Sequence, residues 1–124
     1  MNNKPNGSGL GRIVKATNCS RKGLSAAWFN EAAFRQEAML AMLMLPLSFW
    51  LADSPSHWAL LVSVLLLVLI VELLNSAIEA LTDRVSLERH VLSGRAKDMG
   101  SAAVTFSLVI VALVWGSALW TKLS

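Results

Sequence analysis

Two glutamates, Glu72 and Glu79, lie in or beside the longest apolar stretch of the chain, seven residues apart. Seven helical residues turn through about 700°, so these carboxylates are expected about 20° apart on one helical face. Asn75 lies about 60° from Glu72 on the same side. We call Glu72, Asn75 and Glu79 the acidic face. Placing a carboxylate at membrane depth costs roughly 2.5–3.5 kcal/mol on insertion scales, so such a residue indicates a functional site.

The acidic face has the donor chemistry of a phosphate-handling site. Carboxylate and amide oxygens are hard ligands suited to Mg²⁺, which usually keeps several waters and also contacts substrate phosphates. A lysine nearby can neutralise phosphate charge, and a poorly solvated carboxylate can accept a proton from a hydroxyl group. A site that is half wet and half apolar would suit one water-soluble substrate and one lipid substrate.

Each of these charges also has a purely structural interpretation. A buried glutamate can pair with a polar group of a neighbouring helix. Taken singly, Glu79, Lys97 and Asp98 are more simply charges that are solvated or that reach the membrane interface. Only their convergence on one place favours a functional interpretation.

The composition indicates a polytopic membrane protein. Of the 124 residues, 55% are hydrophobic and 15% are charged, and the mean hydropathy is +0.55; a soluble domain usually carries about 25% charged residues. The length suits one domain, residues 1–124. Residues 1–10 are polar and have no apolar signal-peptide core, so we expect a disordered tail. The one cysteine, Cys19, cannot form an internal disulfide.

The hydropathy pattern predicts an all-α membrane protein with three transmembrane helices and an N-terminal amphipathic surface helix. The expected spans are 32–52, 58–81 and 101–120, and Pro46 should kink the first. Residues 24–37 combine aromatic, apolar and basic side chains at helical spacing, which predicts a helix on the inner membrane surface. A cytoplasmic extension of the first span remains the alternative for that segment.

The basic residues predict the orientation of these spans. Ten of the eleven lie before or in the first turn of the first expected span, or between the second and third spans, and one, Lys122, lies in the C-terminal tail. The positive-inside rule therefore puts the N-terminus and the 83–98 connection in the cytoplasm and the C-terminus outside. Trp50, Trp58 and Trp120 would then form an outer aromatic belt.

Depth along the second span separates the two acids. If this helix enters the membrane from outside at Trp58, Glu72 lies about 21 Å in and Glu79 about 31 Å in, across a hydrocarbon core about 30 Å thick. Glu72 would therefore lie below the midplane, inside the bilayer. The remaining polar groups are expected to converge at the inner interface: Glu31, Asn75, Glu79, Lys97 and Asp98.

Several long runs of residues resemble the prokaryotic integral-membrane diacylglycerol kinases. They are NEAAFRQE (30–37), ELLNSAIEA (72–80), DR (83–84) and LSGRAKDMGSAA (92–103). The resemblance covers nearly the whole chain from Arg12 to Trp120. It implies an inner-membrane homotrimer with three spans per subunit, a surface helix and active sites shared between subunits. It further implies transfer of the γ-phosphoryl group of MgATP to diacylglycerol, which gives phosphatidic acid.

The resemblance also implies residue roles. Glu72 corresponds to the general base on the lipid hydroxyl, Glu31 and Glu79 to the Mg²⁺ ligands, and Asn75, Lys97 and Asp98 to further site residues. The positions near the nucleotide are Arg12, Cys19, Glu31, Glu79, Glu88, Arg89, His90, Lys97 and Asp98. The lipid-site positions are Ser25, Trp28, Ala33, Arg35, Glu37, Trp50, Glu72 and Ser101. Cys19 stands where close relatives carry an aromatic side chain, which argues against a stacking role there.

Three other functions compete with diacylglycerol phosphorylation. An undecaprenol kinase would share the same motifs. A proton- or cation-conducting oligomer would line its pathway with Glu72 and Glu79, although a pore needs no phosphate-binding group such as Lys97. A non-catalytic assembly subunit would pair its acids with a partner's basic residues. The sequence has no P-loop motif, and we expect no nucleic-acid partner.

Overall fold

Four α-helices account for nearly all of residues 8–85 and 90–124, which are the residues that the computed structural model describes. They are α1 (Gly9–Asn30), α2 (Ala32–Leu51), α3 (Pro55–Val85) and α4 (Val91–Leu123). No strand occurs in this part of the chain, so the all-α prediction is confirmed. α3 and α4 are each long and apolar enough to cross a membrane, judged by length and composition alone.

The boundary between α1 and α2 is one extended residue, Glu31, at φ −119° and ψ 104°. Its N–H donates to the Ala27 carbonyl at 2.9 Å and ends α1, while its own carbonyl accepts from the Arg35 N–H at 3.2 Å and begins α2. The single helix predicted over 24–37 is therefore divided at residue 31 between two helices. The N-terminal segment also differs from the prediction, because α1 begins at Gly9, inside the expected disordered tail. Residues 1–7 of that tail lie outside the described residues.

α2 coincides with the first predicted span, 32–52, and continues through Pro46. Proline has no N–H to donate, so the helix loses one internal hydrogen bond at that point. Two residues later, the buried Ser48 hydroxyl donates to the Leu45 carbonyl at 2.5 Å and accepts from the Trp58 indole N–H at 3.0 Å. Trp58 also stacks on Phe49, with 5.4 Å between ring centroids. These contacts fix α2 against the beginning of α3.

The apolar core lies at the same end of the molecule, remote from the acidic face. It consists of Leu51, Leu61, Val64, Leu65, Trp115 and Ala118, contributed by α2, α3 and α4. The Trp115 indole N–H donates to the Leu61 carbonyl at 3.0 Å. This cluster fixes the register of α3 against α4, and that register decides which residues of α4 face Glu72 and Glu79.

Truncating the centre of this cluster should destabilise the protein. Leu61 is 0% exposed, whereas its neighbour Leu60 is 48% exposed. We expect Leu61→Ala to lower the free energy of unfolding by about 2–5 kcal/mol, because it leaves a cavity between packed helices. Unfolding in mixed detergent micelles measures the change, and Leu60→Ala is the matched control. Equal losses for the two substitutions would contradict the placement of the core.

Candidate functional site

The acidic face lies on the second half of α3, where the structure separates its two glutamates by burial. Glu72 is buried, with 4% of its surface exposed, while Glu79 is partly exposed. The Asn75 side-chain N–H, at Nδ2, donates to Glu79 Oε1 at 3.0 Å. The predicted face is thus present on one helix, with a covered carboxylate at one end and an accessible one at the other.

Glu72 lies among other carboxylates instead of beside a cation. Glu37, Glu79 and Glu31 are all close enough to act on it electrostatically. Within the described part of the chain, no lysine, arginine or histidine forms an ion pair with Glu72. Within the described residues, Glu72 therefore does not form the ion pair with a neighbouring helix that its purely structural interpretation requires. The arrangement leaves a buried carboxylate whose charge is uncompensated.

Glu31 reaches this neighbourhood because it is the elbow between α1 and α2. The Arg35 guanidinium, one turn into α2, donates from Nη1 to the Trp28 carbonyl at 2.7 Å. This bond caps one of the last carbonyls of α1, which otherwise lack intrahelical partners. The capped elbow sets the position of Glu31 relative to α3.

α4 contributes a lysine to the accessible end of the acidic face. The Lys97 ammonium donates to Asp83 Oδ1 at 2.6 Å and lies close enough to Glu79 to interact with it electrostatically. Sequence reasoning gave Asp83 no role. Its spacing carried the signal, because Asp83 is four residues after Glu79 and so extends the acidic face by one helical turn.

The Asn75 amide also forms a close contact between α3 and α4. Its Oδ1 atom is buried, and the described residues offer it no hydrogen-bond partner. It contacts α4 at Gly100, a buried residue that sequence reasoning did not single out.

An apolar groove of about 670 Å³ runs between α1 and α3 beside the acidic face. Small and apolar side chains form most of its lining, and Glu31 lies among them. The lining residues are Ser20, Gly23, Leu24, Ala26, Ala27, Asn30, Glu31, Leu73, Ser76, Ala77 and Ala80. The groove thus joins an apolar surface to the carboxylate cluster.

The structure gathers only part of the nucleotide set expected from the sequence. Arg12 and Cys19 are exposed on α1, and Asp98 is exposed on α4. His90 caps the beginning of α4, where its Nδ1 accepts from the Leu92 N–H at 3.1 Å. Glu88 and Arg89 lie outside the described residues. Of this set, Lys97 and Glu79 lie close together, and Glu31 lies in the same carboxylate cluster.

The lipid set is divided along α2. Ser25 and Trp28 lie in the last turns of α1, Ala33, Arg35 and Glu37 in the first turns of α2, and Ser101 beside Gly100 on α4. Trp50 is at the opposite end of α2, about 27 Å along the helix from its first residue, where its ring faces the Lys122 ammonium. Trp50 is therefore separated from the members of the lipid set in the first turns of α2.

The donor atoms at the accessible end fit Mg²⁺ better than a transition metal. The described residues contain no group of three or more His, Cys, Asp or Glu side chains arranged to hold a metal ion. Mg²⁺ needs no such cage, since it is usually bound through one or two carboxylates together with waters and substrate phosphates. Glu79 and Glu31 supply carboxylates for such a site.

These features define a class of helical proteins that have apolar helices of membrane-spanning length and a polar site on one of those helices. Comparison with known proteins narrows the class to one family. A family model described as prokaryotic diacylglycerol kinase matches residues 18–119. The chain belongs to this family of kinases, and it is accordingly a membrane protein and a phosphotransferase.

The relatives extend this match to nearly the whole chain. A diacylglycerol kinase of Escherichia coli is 51% identical over 116 residues, which are 94% of this chain and 95% of the relative. One from Pseudomonas aeruginosa is 53% identical, covering 90% and 91% of the two chains. One from Haemophilus influenzae is 48% identical, covering 91% and 96%. The resemblance drawn from the motifs is confirmed.

Loss of the Arg35 cap should loosen the elbow at Glu31. We expect Arg35→Gln to free the end of α1 and to broaden the distances between α1 and α3, because the Trp28 carbonyl loses its donor. Spin labels on the native Cys19 and on Ala80→Cys, across the groove, report this distance by pulsed electron paramagnetic resonance. Labelled chains are diluted with unlabelled Cys19→Ala chains so that only pairs within one chain contribute.

Arg84→Gln is the matched control, since Arg84 is exposed near the end of α3. It should leave the distance distribution as narrow as in the parent protein. An unchanged distribution in Arg35→Gln would show that this hydrogen bond does not hold the elbow.

Proposed function

We propose that this chain phosphorylates diacylglycerol to phosphatidic acid, with ATP as the phosphoryl donor, at the cytoplasmic face of the bacterial inner membrane. The observation that carries the proposal is Glu72, a buried carboxylate without a compensating cation on an apolar, membrane-length helix. Seven residues away, the same helix presents Glu79 beside Lys97. The names of the relatives supply the lipid alcohol and the reaction.

Glu72 would act as the general base on the primary hydroxyl of diacylglycerol. As the hydroxyl oxygen forms its bond to the γ-phosphorus, the bond from phosphorus to the ADP oxygen breaks, and Glu72 accepts the hydroxyl proton. Phosphoryl transfer depends mainly on positioning and charge stabilisation. On the lipid side, the site therefore needs only to hold the alcohol and to provide one base. Burial of Glu72 keeps this base away from bulk water.

Glu79 and Glu31 would hold Mg²⁺, and the Asn75 amide would hold Glu79 through its N–H. When bound, the ion neutralises phosphate charge and orients the transferred group. Lys97 would contact the phosphates of ATP, exchanging its bond with Asp83 for one with a more highly charged partner. Asp98 and His90 belong to the nucleotide side by family resemblance.

The lipid would approach laterally from the bilayer. The groove between α1 and α3 is apolar and joins the carboxylate cluster at Glu31, so an acyl chain can lie in it while the hydroxyl faces Glu72. ATP would arrive from the cytoplasm at the accessible end of the acidic face. The seven-residue spacing would thus place the two substrates end to end along α3.

We further propose a homotrimer with three spans per subunit, in which α2 is the third span and α1 lies along the inner membrane surface. Large apolar side chains exposed on α2 and α4 support it, because they need lipid or another subunit as a neighbour; examples are Leu43, Phe106 and Leu113. Active sites shared between subunits are part of this proposal by family resemblance. The N-terminus would be cytoplasmic and the C-terminus periplasmic.

Transfer of radiolabelled γ-phosphate from ATP to diacylglycerol in mixed micelles tests the proposal. We expect Glu72→Gln to lower kcat by about 10²- to 10⁴-fold, the usual contribution of a general base. Glu79→Gln should also abolish most transfer and raise the Mg²⁺ concentration needed for activity. Asp53→Asn, the same chemical change in the turn before α3, is the control and should behave as the parent protein.

Retained transfer in both glutamate variants would remove the assigned roles. The same assay with undecaprenol in place of diacylglycerol tests the substrate. Faster turnover of the polyprenol would assign the chain to undecaprenol phosphorylation, with the same residues in the same roles.

A further inference from the structure

Where α3 and α4 cross, the Asn75 side chain occupies the space that a side chain at residue 100 would need. Asn75 Oδ1 lies in contact with the position that a Cβ atom of residue 100 would take, and Gly100 leaves that position open. The same oxygen is buried and has no hydrogen-bond partner among the described residues. At the other end of the amide, Nδ2 donates to Glu79 Oε1 at 3.0 Å.

The chemistry of the amide fixes its direction between these two neighbours. An Asn side chain has one donor end and one acceptor end. The Glu79 carboxylate accepts hydrogen bonds, so only the N–H end can face it, and the oxygen must then face α4. A buried oxygen without a partner is unfavourable. In place of a side chain, Gly100 has only a Cα hydrogen, a weak donor that can approach such an oxygen closely.

We propose that Gly100 is a positioning residue for the site: the space left by its missing side chain holds the Asn75 amide in the orientation that hydrogen-bonds and aims the Glu79 carboxylate. The inference rests on the proposed function only for the role of Glu79 in holding Mg²⁺. The geometric part, from Gly100 to Asn75 to Glu79, stands on the contacts themselves. A side chain at residue 100 would push the amide out of this space and break its bond to Glu79.

The other described glycines of α4 lack this close contact, which is therefore specific to residue 100. A Cβ added at Gly94 or Gly116 would meet nothing within 4 Å. Glycine weakens a helix relative to alanine. Gly116→Ala, on the same helix, therefore makes the same chemical change without the contact and should leave the protein at least as stable. It serves as the matched control.

The test combines kinetics with a direct view of the amide. We expect Gly100→Ala to lower kcat for lipid phosphorylation by about 10- to 100-fold, the scale of an ångström-sized misplacement of a site group. The Mg²⁺ concentration for half-maximal activity should rise. The Asn75 side-chain amide resonance, assigned by its absence in Asn75→Ala, should shift away from its hydrogen-bonded position, while Gly116→Ala leaves it unmoved.

A double-mutant cycle separates positioning from simple packing. If Gly100 acts through Asn75, adding Gly100→Ala to Asn75→Ala should change kcat by less than about twofold, because the group that it displaces is already gone. Equal losses in the two backgrounds would overturn the proposal. So would a Gly100→Ala protein with an unmoved Asn75 resonance and parental kcat.

Two further outcomes keep the test decisive. If Gly100→Ala alone fails to fold, the double variant should fold, since the displaced amide is absent; failure of both would overturn the proposal by showing that the clash is with the helix itself. If the parent protein phosphorylates no lipid, the proposed function fails, whereas the Asn75 resonance still tests the contact.

Discussion

The uncompensated carboxylate of Glu72 is the constraint on which the rest of this structure depends. An isolated charge in apolar surroundings is costly, and neighbouring residues normally remove the cost by pairing it. Here the nearest charged groups are other carboxylates, from Glu37, Glu79 and Glu31. The proposed function would account for this arrangement, because a bound cation and a phosphate donor would complete the carboxylate cluster.

Two sets of contacts hold α3 and α4 in the register that this site requires. At one end, the Trp115 indole bonds to the Leu61 carbonyl within the apolar core. At the other, Lys97 bonds to Asp83, and Gly100 admits the Asn75 amide. Lys97 and Gly100 are three residues apart on α4, so they share one helical face, and Asn75, Glu79 and Asp83 share the opposing face of α3. Packing at the core and chemistry at the site thus depend on one helix pairing.

Much of this arrangement could be predicted from the sequence because it is periodic within single helices. The acidic face follows from spacing alone, and the expected spans 58–81 and 101–120 fall inside α3 and α4. The elbow at Glu31 could not be found in this way, since one extended residue interrupts a pattern that is helical on both sides. Gly100 was missed for another reason: its role arises from a contact between helices, which no single-helix pattern contains. Asp83 could have been found, since it continues the spacing of the acidic face by one turn.

In the proposed function, the acidic face has two tasks: Glu72 is a buried base toward the lipid, and Glu79 is an accessible ligand toward Mg²⁺ and ATP. The most direct test is the affinity of Mn²⁺, a paramagnetic substitute for Mg²⁺, measured by electron paramagnetic resonance with a non-hydrolysable ATP analogue. Glu79→Gln should weaken Mn²⁺ binding by about tenfold or more, as changes around metal ligands do, while Glu72→Gln should leave it near the parental value. Equal weakening by both substitutions, or weakening by Glu72→Gln alone, would contradict the division.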